Sequence, residues 1–311
     1  MSSAPNASFG FQKVDFKTHL GINLVGNLRQ PTGFDKAMKY SAIVTVAPAG
    51  GAKEQTSGLY ARKLADEGFV TIAFNASFQG ESGGEPRNQE NTIARVEDIR
   101  GAVDFLVSLP YVDDNKIGVL GICAGGGYAT SAAMTERRIK AVGVSVPVNG
   151  GRENRAGGQI ATISALDQIA QLRSAEARGG DPTIAEWMPD SYQNATDIDH
   201  REGYEYYRTS RNPHPGWQNM VRFSTMDAVY GFDAFYLADV LLTQPLQVVV
   251  GGKLGAFGSN PDGHALYNAA ASTQKDILVM DGASHFDLYD NPEYVDPAVA
   301  KFSEFFRANL A

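Results

Sequence analysis

The chain has 311 residues, 43% of them hydrophobic and 20% charged, with a net charge of −8. That is apolar material for one large α/β domain or two small ones, and the acidic balance argues against nucleic acid or an anionic membrane as a partner, since both need basic patches. One cysteine excludes an intrachain disulfide, no apolar run reaches membrane-spanning length, and residues 1–12 lack the basic start and apolar segment of a secretory signal, so a cytoplasmic protein is the simplest expectation.

In chain order, residues 22–28 alternate and end at Gln30-Pro31-Thr32-Gly33, a strand and its turn. Residues 41–47 form a continuous apolar run, as a strand buried on both faces does, and Pro48-Ala49-Gly50-Gly51 breaks it. Helical spacing over 54–67 closes at Gly68, and 69–74 reads as a second buried strand. A polar loop over 75–91 leads to a helix over 92–109 with Ile93, Val96, Ile99, Val103 and Leu106 on one face and Pro110 at its end.

The next segment carries the chemistry. Residues 117–122 are strand-like, Gly121-Ile122-Cys123-Ala124-Gly125 follows with two more glycines, and small helix-tolerant residues come after. Strand, tight glycine turn and helix form the context in which Gly-x-nucleophile-x-Gly means a nucleophile elbow. The exposed side chain would be the thiol of Cys123. A thiolate is a strong nucleophile, and the N-terminus of the following helix is expected to lower its pKa. Taken alone, the cysteine could be a small buried hydrophobe. A dinucleotide turn would want G-x-G-x-x-G near the start of the chain, which is not the pattern here.

Residues 139–148 are strand-like again, so β and α alternate and predict a parallel sheet with helices on both faces. The alternation lapses over 150–242, a polar stretch with Tyr204, Tyr206, Tyr207 and Trp217, and resumes with strands at 245–250 and 277–280 and a closing helix at 299–310. One α/β domain with a cap insertion at 150–242 is the expectation. The insertion would lie over the carboxyl ends of the strands, where ligands bind in open α/β sheets.

A thiol nucleophile needs a base and an oxyanion hole. Of five histidines, His285 follows the last strand, where this chain order puts the base, with His264 in reserve. The oxyanion donors are expected to be the N–H of Ala124 and that of Ala49 or Gly50, in the small-residue loop after the strand 41–47. No His, Cys or carboxylate cluster has metal-ligand spacing, so no cofactor and no metal are expected.

On these residues, and on Lys53-Glu54-Gln55-Thr56, Ser77-Phe78-Gln79-Gly80-Glu81-Ser82, Arg95-Val96-Glu97-Asp98-Ile99-Arg100 and His285-Phe286-Asp287-Leu288-Tyr289, the chain resembles the cysteine-nucleophile α/β-hydrolases of the dienelactone hydrolase type, including capped relatives linked to polyketide acyl transfer. The resemblance implies an α/β-hydrolase fold and a Cys-His-Asp triad. It also implies hydrolysis or transfer of an acyl group through a thioester. A glutamate contacting the resting thiol would correspond to Glu54. The position matching the usual acid is Gly255, which leaves Asp262 and Asp281 as substitutes and a Cys–His dyad as a further possibility. The expected partner is a small acyl substrate, and a homodimer would be unsurprising for a chain of this size. Acyl transfer and a non-catalytic pocket protein are the alternatives to hydrolysis.

Overall fold

The computed structural model describes residues 10–311. An antiparallel hairpin comes first: β1 (Gln12–Lys17) pairs with β2 (Asn23–Arg29). Then follow β3 (Tyr40–Val46), α1 (Thr56–Asp66), β4 (Val70–Phe74), α2 (Thr92–Val107), β5 (Val112–Ile122), α3 (Ala124–Thr135) and β6 (Ile139–Ser145). The inserted segment carries α4 (Gly150–Asn154), α5 (Gly158–Ala177), β7 (Ile184–Ala185), α6 (Ile198–Arg208), β8 (Val221–Arg222), α7 (Asp227–Tyr230) and α8 (Ala238–Leu241). The chain closes with β9 (Leu246–Gly251), α9 (Ser259–Ala269), β10 (Lys275–Met280), α10 (Asp287–Asp290) and α11 (Pro292–Asn309).

Eight strands form one sheet in the order β1-β2-β4-β3-β5-β6-β9-β10. The β1–β2 and β2–β4 pairs are antiparallel, and every pair from β4 to β10 is parallel. Parallel strands need helical crossovers, and these put α1 and α11 on one face and α2, α3 and α9 on the other. That burial on both faces is why β3, β4 and β9 read as near-continuous apolar runs. Ile43, Val44, Ile72, Val119, Val142 and Val248 are all fully buried. Strands β7 and β8 pair as a separate short ribbon. Among the described residues no helix is long and apolar enough to cross a membrane.

Three local expectations need correction. The first strand, β1, escapes the sequence pattern because its outward positions Lys13, Asp15 and Lys17 are charged, leaving only Val14 and Phe16 buried. Ile93 does not share the buried face of α2; it is 74% exposed, while Val96, Ile99, Val103 and Leu106 are buried. The last helix begins at Pro292, not at 299. Asn291 caps it by accepting from Glu293 N–H, and Pro297 inside the helix masks its first turns.

Candidate active site

Cys123 ends the run of β5 and precedes α3, with φ 56° and ψ −129°. A non-glycine residue at positive φ is strained, and the strain is held by what surrounds it. A Cβ on Gly121 would lie 2.3 Å from the Gly125 carbonyl oxygen, and one on Gly125 would lie 2.5 Å from the Val46 carbonyl oxygen. Both obstacles are backbone, so neither can move aside. Gly125→Ala is therefore expected to destabilise the fold by about 2 kcal/mol or more, measured by denaturant unfolding. The Cys123 side chain is 8% exposed and reaches a cavity above the sheet.

His285 comes to the same place from the other end of the chain. Ser284 and Asp287 exchange hydrogen bonds, Ser284 N–H to Asp287 Oδ2 at 2.9 Å and Asp287 N–H to Ser284 Oγ at 3.0 Å, and so form the start of α10. The His285 ring is 2% exposed. Its Nδ1 lies 3.0 Å from Ser259 Oγ and its Nε2 lies 3.2 Å from the Tyr289 hydroxyl. That hydroxyl also interacts with the Cys123 thiol. The imidazole thus meets the sulfur through Tyr289. The sequence contained the signal, since Tyr289 stands four residues after His285 and one helical turn brings them together.

The electrostatics differ from expectation. Burial pushes the Cys123 thiol up to about 12, overriding the start of α3 and the opposing influence of the Tyr289 hydroxyl and the Ala124 N–H. Burial also pulls His285 down to about 3. The resting pair is a neutral thiol and a neutral imidazole, not a thiolate facing an imidazolium.

Two backbone N–H groups are the oxyanion-hole candidates here. Ala124 N–H, the first of α3, favours the charged form of the thiol. Ala49 lines the same cavity as Cys123, and no hydrogen bond engages its N–H among the described residues. Gly50 does not line the cavity; it makes the turn at φ 66° against the indole of Trp187. The loop is held by the buried Arg95 guanidinium, which donates to the carbonyls of Ala47 at 2.7 Å and Pro48 at 3.3 Å. Glu90 and Tyr128 hold Arg95 in turn, the first through an ion pair at 3.5 Å and the second under the guanidinium at 4.9 Å.

The carboxylates expected to help are engaged elsewhere. Glu54 pairs with the buried Lys53 at 2.6 Å and takes Asn27 Nδ2 at 3.4 Å, so it does not contact the thiol. Asp262 accepts from Asn149 N–H at 2.7 Å and pairs with Arg152 at 2.5 Å. Its position in the first turn of α9 suits that role, with Gly258 as the N-cap. Asp281 is exposed at the end of β10, four residues before a ring that turns inward. The group on Nδ1 of His285 is instead a hydroxyl, that of Ser259, which no acid motif marks. The reserve histidine, His264, is exposed on α9.

The cavity above Cys123 has a volume of about 270 Å³. The inserted segment supplies most of its lining, through Trp187, Met188, Tyr207, Trp217, Phe223 and Met226. Tyr207 stacks on Trp217 with ring centres 4.6 Å apart. Tyr206 packs edge-on against Tyr289 below the cavity, and Tyr204 meets Tyr192 away from it, so neither lines the wall. One end is polar, with Glu153, Asn154 and His200. Among the described residues no cluster of three or more His, Cys, Asp or Glu is placed to hold a metal.

Burial pushes the Glu153 carboxyl up from the ordinary 4.5 to about 7. Below 4.5 both folded and unfolded chains keep this proton, so it does not affect stability. Between 4.5 and about 7 the unfolded chain releases the proton first, and the native state loses stability as the pH rises. Glu153→Gln removes that loss. After discounting for contact with the cavity, it is expected to stabilise the protein by about 2 kcal/mol at pH 8 and to have almost no effect at pH 4, read from denaturant midpoints at the two pH values.

Comparison with known proteins places this chain in a family. Residues 29–166 match the model of the dienelactone hydrolase family. The uncharacterized protein YcjY of Escherichia coli (strain K12) is 40% identical over 294 residues, 93% of this chain and 95% of its own length. The crystal structure of the hypothetical protein PA2218 from Pseudomonas aeruginosa superposes with a TM-score of 0.88 at 31% identity, covering 96% of this chain and 93% of that one. A thiohydrolase, apmlB of Arthrinium phaeospermum, is 29% identical over 226 residues, 69% of this chain and 70% of its own. The elbow, the parallel sheet and these similarities together make the chain a member of the dienelactone hydrolase family, with an α/β-hydrolase fold.

Proposed function

We propose that this protein is an acyl hydrolase that acts on an ester, lactone or thioester through a covalent thioester at Cys123. The observation that carries this is Cys123 and Tyr289 on the wall of one cavity, with the Tyr289 hydroxyl 3.2 Å from Nε2 of the buried His285 behind it.

In the tautomer that keeps its proton on Nδ1, His285 donates to Ser259 Oγ and its Nε2 accepts from the Tyr289 hydroxyl. As the sulfur attacks the acyl carbon, the thiol proton passes to the Tyr289 oxygen and the tyrosine proton passes to Nε2. The S–C bond forms, and the carbonyl electron pair moves onto oxygen, where the N–H groups of Ala124 and Ala49 receive it. Collapse expels the alcohol or thiol, which regains the proton along the same path. Water then attacks the thioester and gives a proton through Tyr289 to His285; the S–C bond breaks, the acid leaves, and the proton returns by the same path to the Cys123 sulfur. The mostly apolar, aromatic lining suits an apolar or aromatic acyl group. It also favours acyl transfer to an acceptor other than water, because it excludes water from the thioester.

Intact-mass measurement after mixing with p-nitrophenyl esters or acyl thioesters tests this. An adduct on Cys123 that water discharges supports hydrolysis, and one discharged only by added alcohol or amine supports transfer. With no adduct, and ligand binding unchanged in Cys123→Ala, the chain would be a non-catalytic pocket protein. Iodoacetamide provides the control: with the thiol held neutral, it should alkylate Cys123 slowly at pH 8 even where an activated ester acylates it quickly.

A further inference from the structure

The loop that follows β9 is held against His285 by side chains from the inserted segment. A Cβ built on Gly255 would lie 2.2 Å from Cγ, Oδ1 and Oδ2 of Asp199. The space that a side chain at position 255 would need is thus occupied by a carboxylate brought in on α6. Asp199 is 2% exposed, and its Oδ2 accepts the N–H of Phe257 at 2.8 Å. The carbonyl of the same Phe257 accepts from the Arg152 guanidinium at 2.7 Å. Both polar backbone groups of one loop residue are therefore clamped by the insertion, from α6 on one side and α4 on the other.

The clamped loop touches the base at two points. The Phe257 ring stands edge-on to the His285 ring, with centres 5.3 Å apart and planes at 90°. Two residues further on, Ser259 supplies the hydroxyl at Nδ1. We propose that Asp199 is a positioning residue for His285: it enters the space beside Gly255, fixes Phe257 through its N–H, and so holds Phe257 and Ser259 against the imidazole. This deepens the hydrolase function and rests on His285 being the base for Cys123. It also makes seating of the insertion on the sheet a condition for an aligned base.

The experiment is a double-mutant cycle on the full chain, read by steady-state kinetics with a p-nitrophenyl ester and by NMR of the His285 ring in isotope-labelled protein. Asp199→Ala is expected to lower kcat about 10- to 100-fold with KM within about threefold, the scale of a small misplacement of a reacting group. Asp199→Asn keeps an acceptor for the Phe257 N–H and should stay within about threefold of wild type. Gly255→Ala should reproduce the loss alone, because its methyl group must displace the carboxylate, and should add nothing in the Asp199→Ala background. The His285 ring signals should move in Asp199→Ala and Gly255→Ala and stay in place in Asp199→Asn. Unchanged ring signals in Asp199→Ala, a rise in KM alone, or equal losses from Gly255→Ala in both backgrounds would overturn the proposal. The ring signals require no turnover, so a wild type that never acylates Cys123 would end the hydrolase function while the NMR still decides the clamp.

Discussion

Cys123→Ala is expected to abolish turnover of activated esters and acyl thioesters, with a loss of about 10⁴-fold or more, as when the nucleophile of a catalytic unit is removed. The fold should tolerate the change. The side chain lost is small, and alanine needs no more room at φ 56° than cysteine does. Cys123→Ser should be nearly as inert. A hydroxyl is harder to deprotonate than a thiol, and His285, held down to about 3 by burial, is a weak base at rest. Far-UV circular dichroism and intact mass identify folded, unacylated protein in both variants. Turnover by Cys123→Ala within tenfold of wild type would move the chemistry to another residue.

Tyr289→Phe removes one oxygen from the line between sulfur and imidazole and leaves the ring contacts with Phe286 at 4.5 Å and Tyr206 at 5.1 Å. If the hydroxyl carries the proton, acylation of Cys123 falls by about 10² to 10³, within the range for general acid–base groups. Stability falls by about 1 to 2 kcal/mol as well, because Nε2 of a buried His285 loses its partner. Stopped-flow release of p-nitrophenolate measures the first effect and denaturant unfolding the second. A Tyr289→Phe protein that acylates as fast as wild type would mean that the hydroxyl only fills the gap and that Nε2 can approach the thiol directly.

Much of this candidate site was legible in the sequence. Gly121-Ile122-Cys123-Ala124-Gly125 between an apolar run and a small-residue helix has few solutions other than an elbow, because Gly121 and Gly125 sit where strand and helix backbones nearly touch. His285 after the final strand and Ala49 after β3 follow from chain order in a parallel sheet. The carboxylates were not legible in this way. Glu54, Asp262 and Asp281 were each close to the site in the chain, but proximity in the chain does not show what a carboxylate will pair with. Lys53 and Arg152 took the first two, and solvent took the third.

The sequence by itself determined the alternation of strand and helix, the elbow and the break at 150–242, because these rest on local pattern: apolar periodicity, small residues at a tight turn, and proline or glycine at element ends. The tertiary structure alone decided which groups meet. It put Tyr289 between Cys123 and His285, Ser259 on Nδ1 and Asp199 beside Gly255. It also decided the charge state of the thiol and the imidazole, because desolvation depends on everything packed around a group and not on its neighbours in the chain.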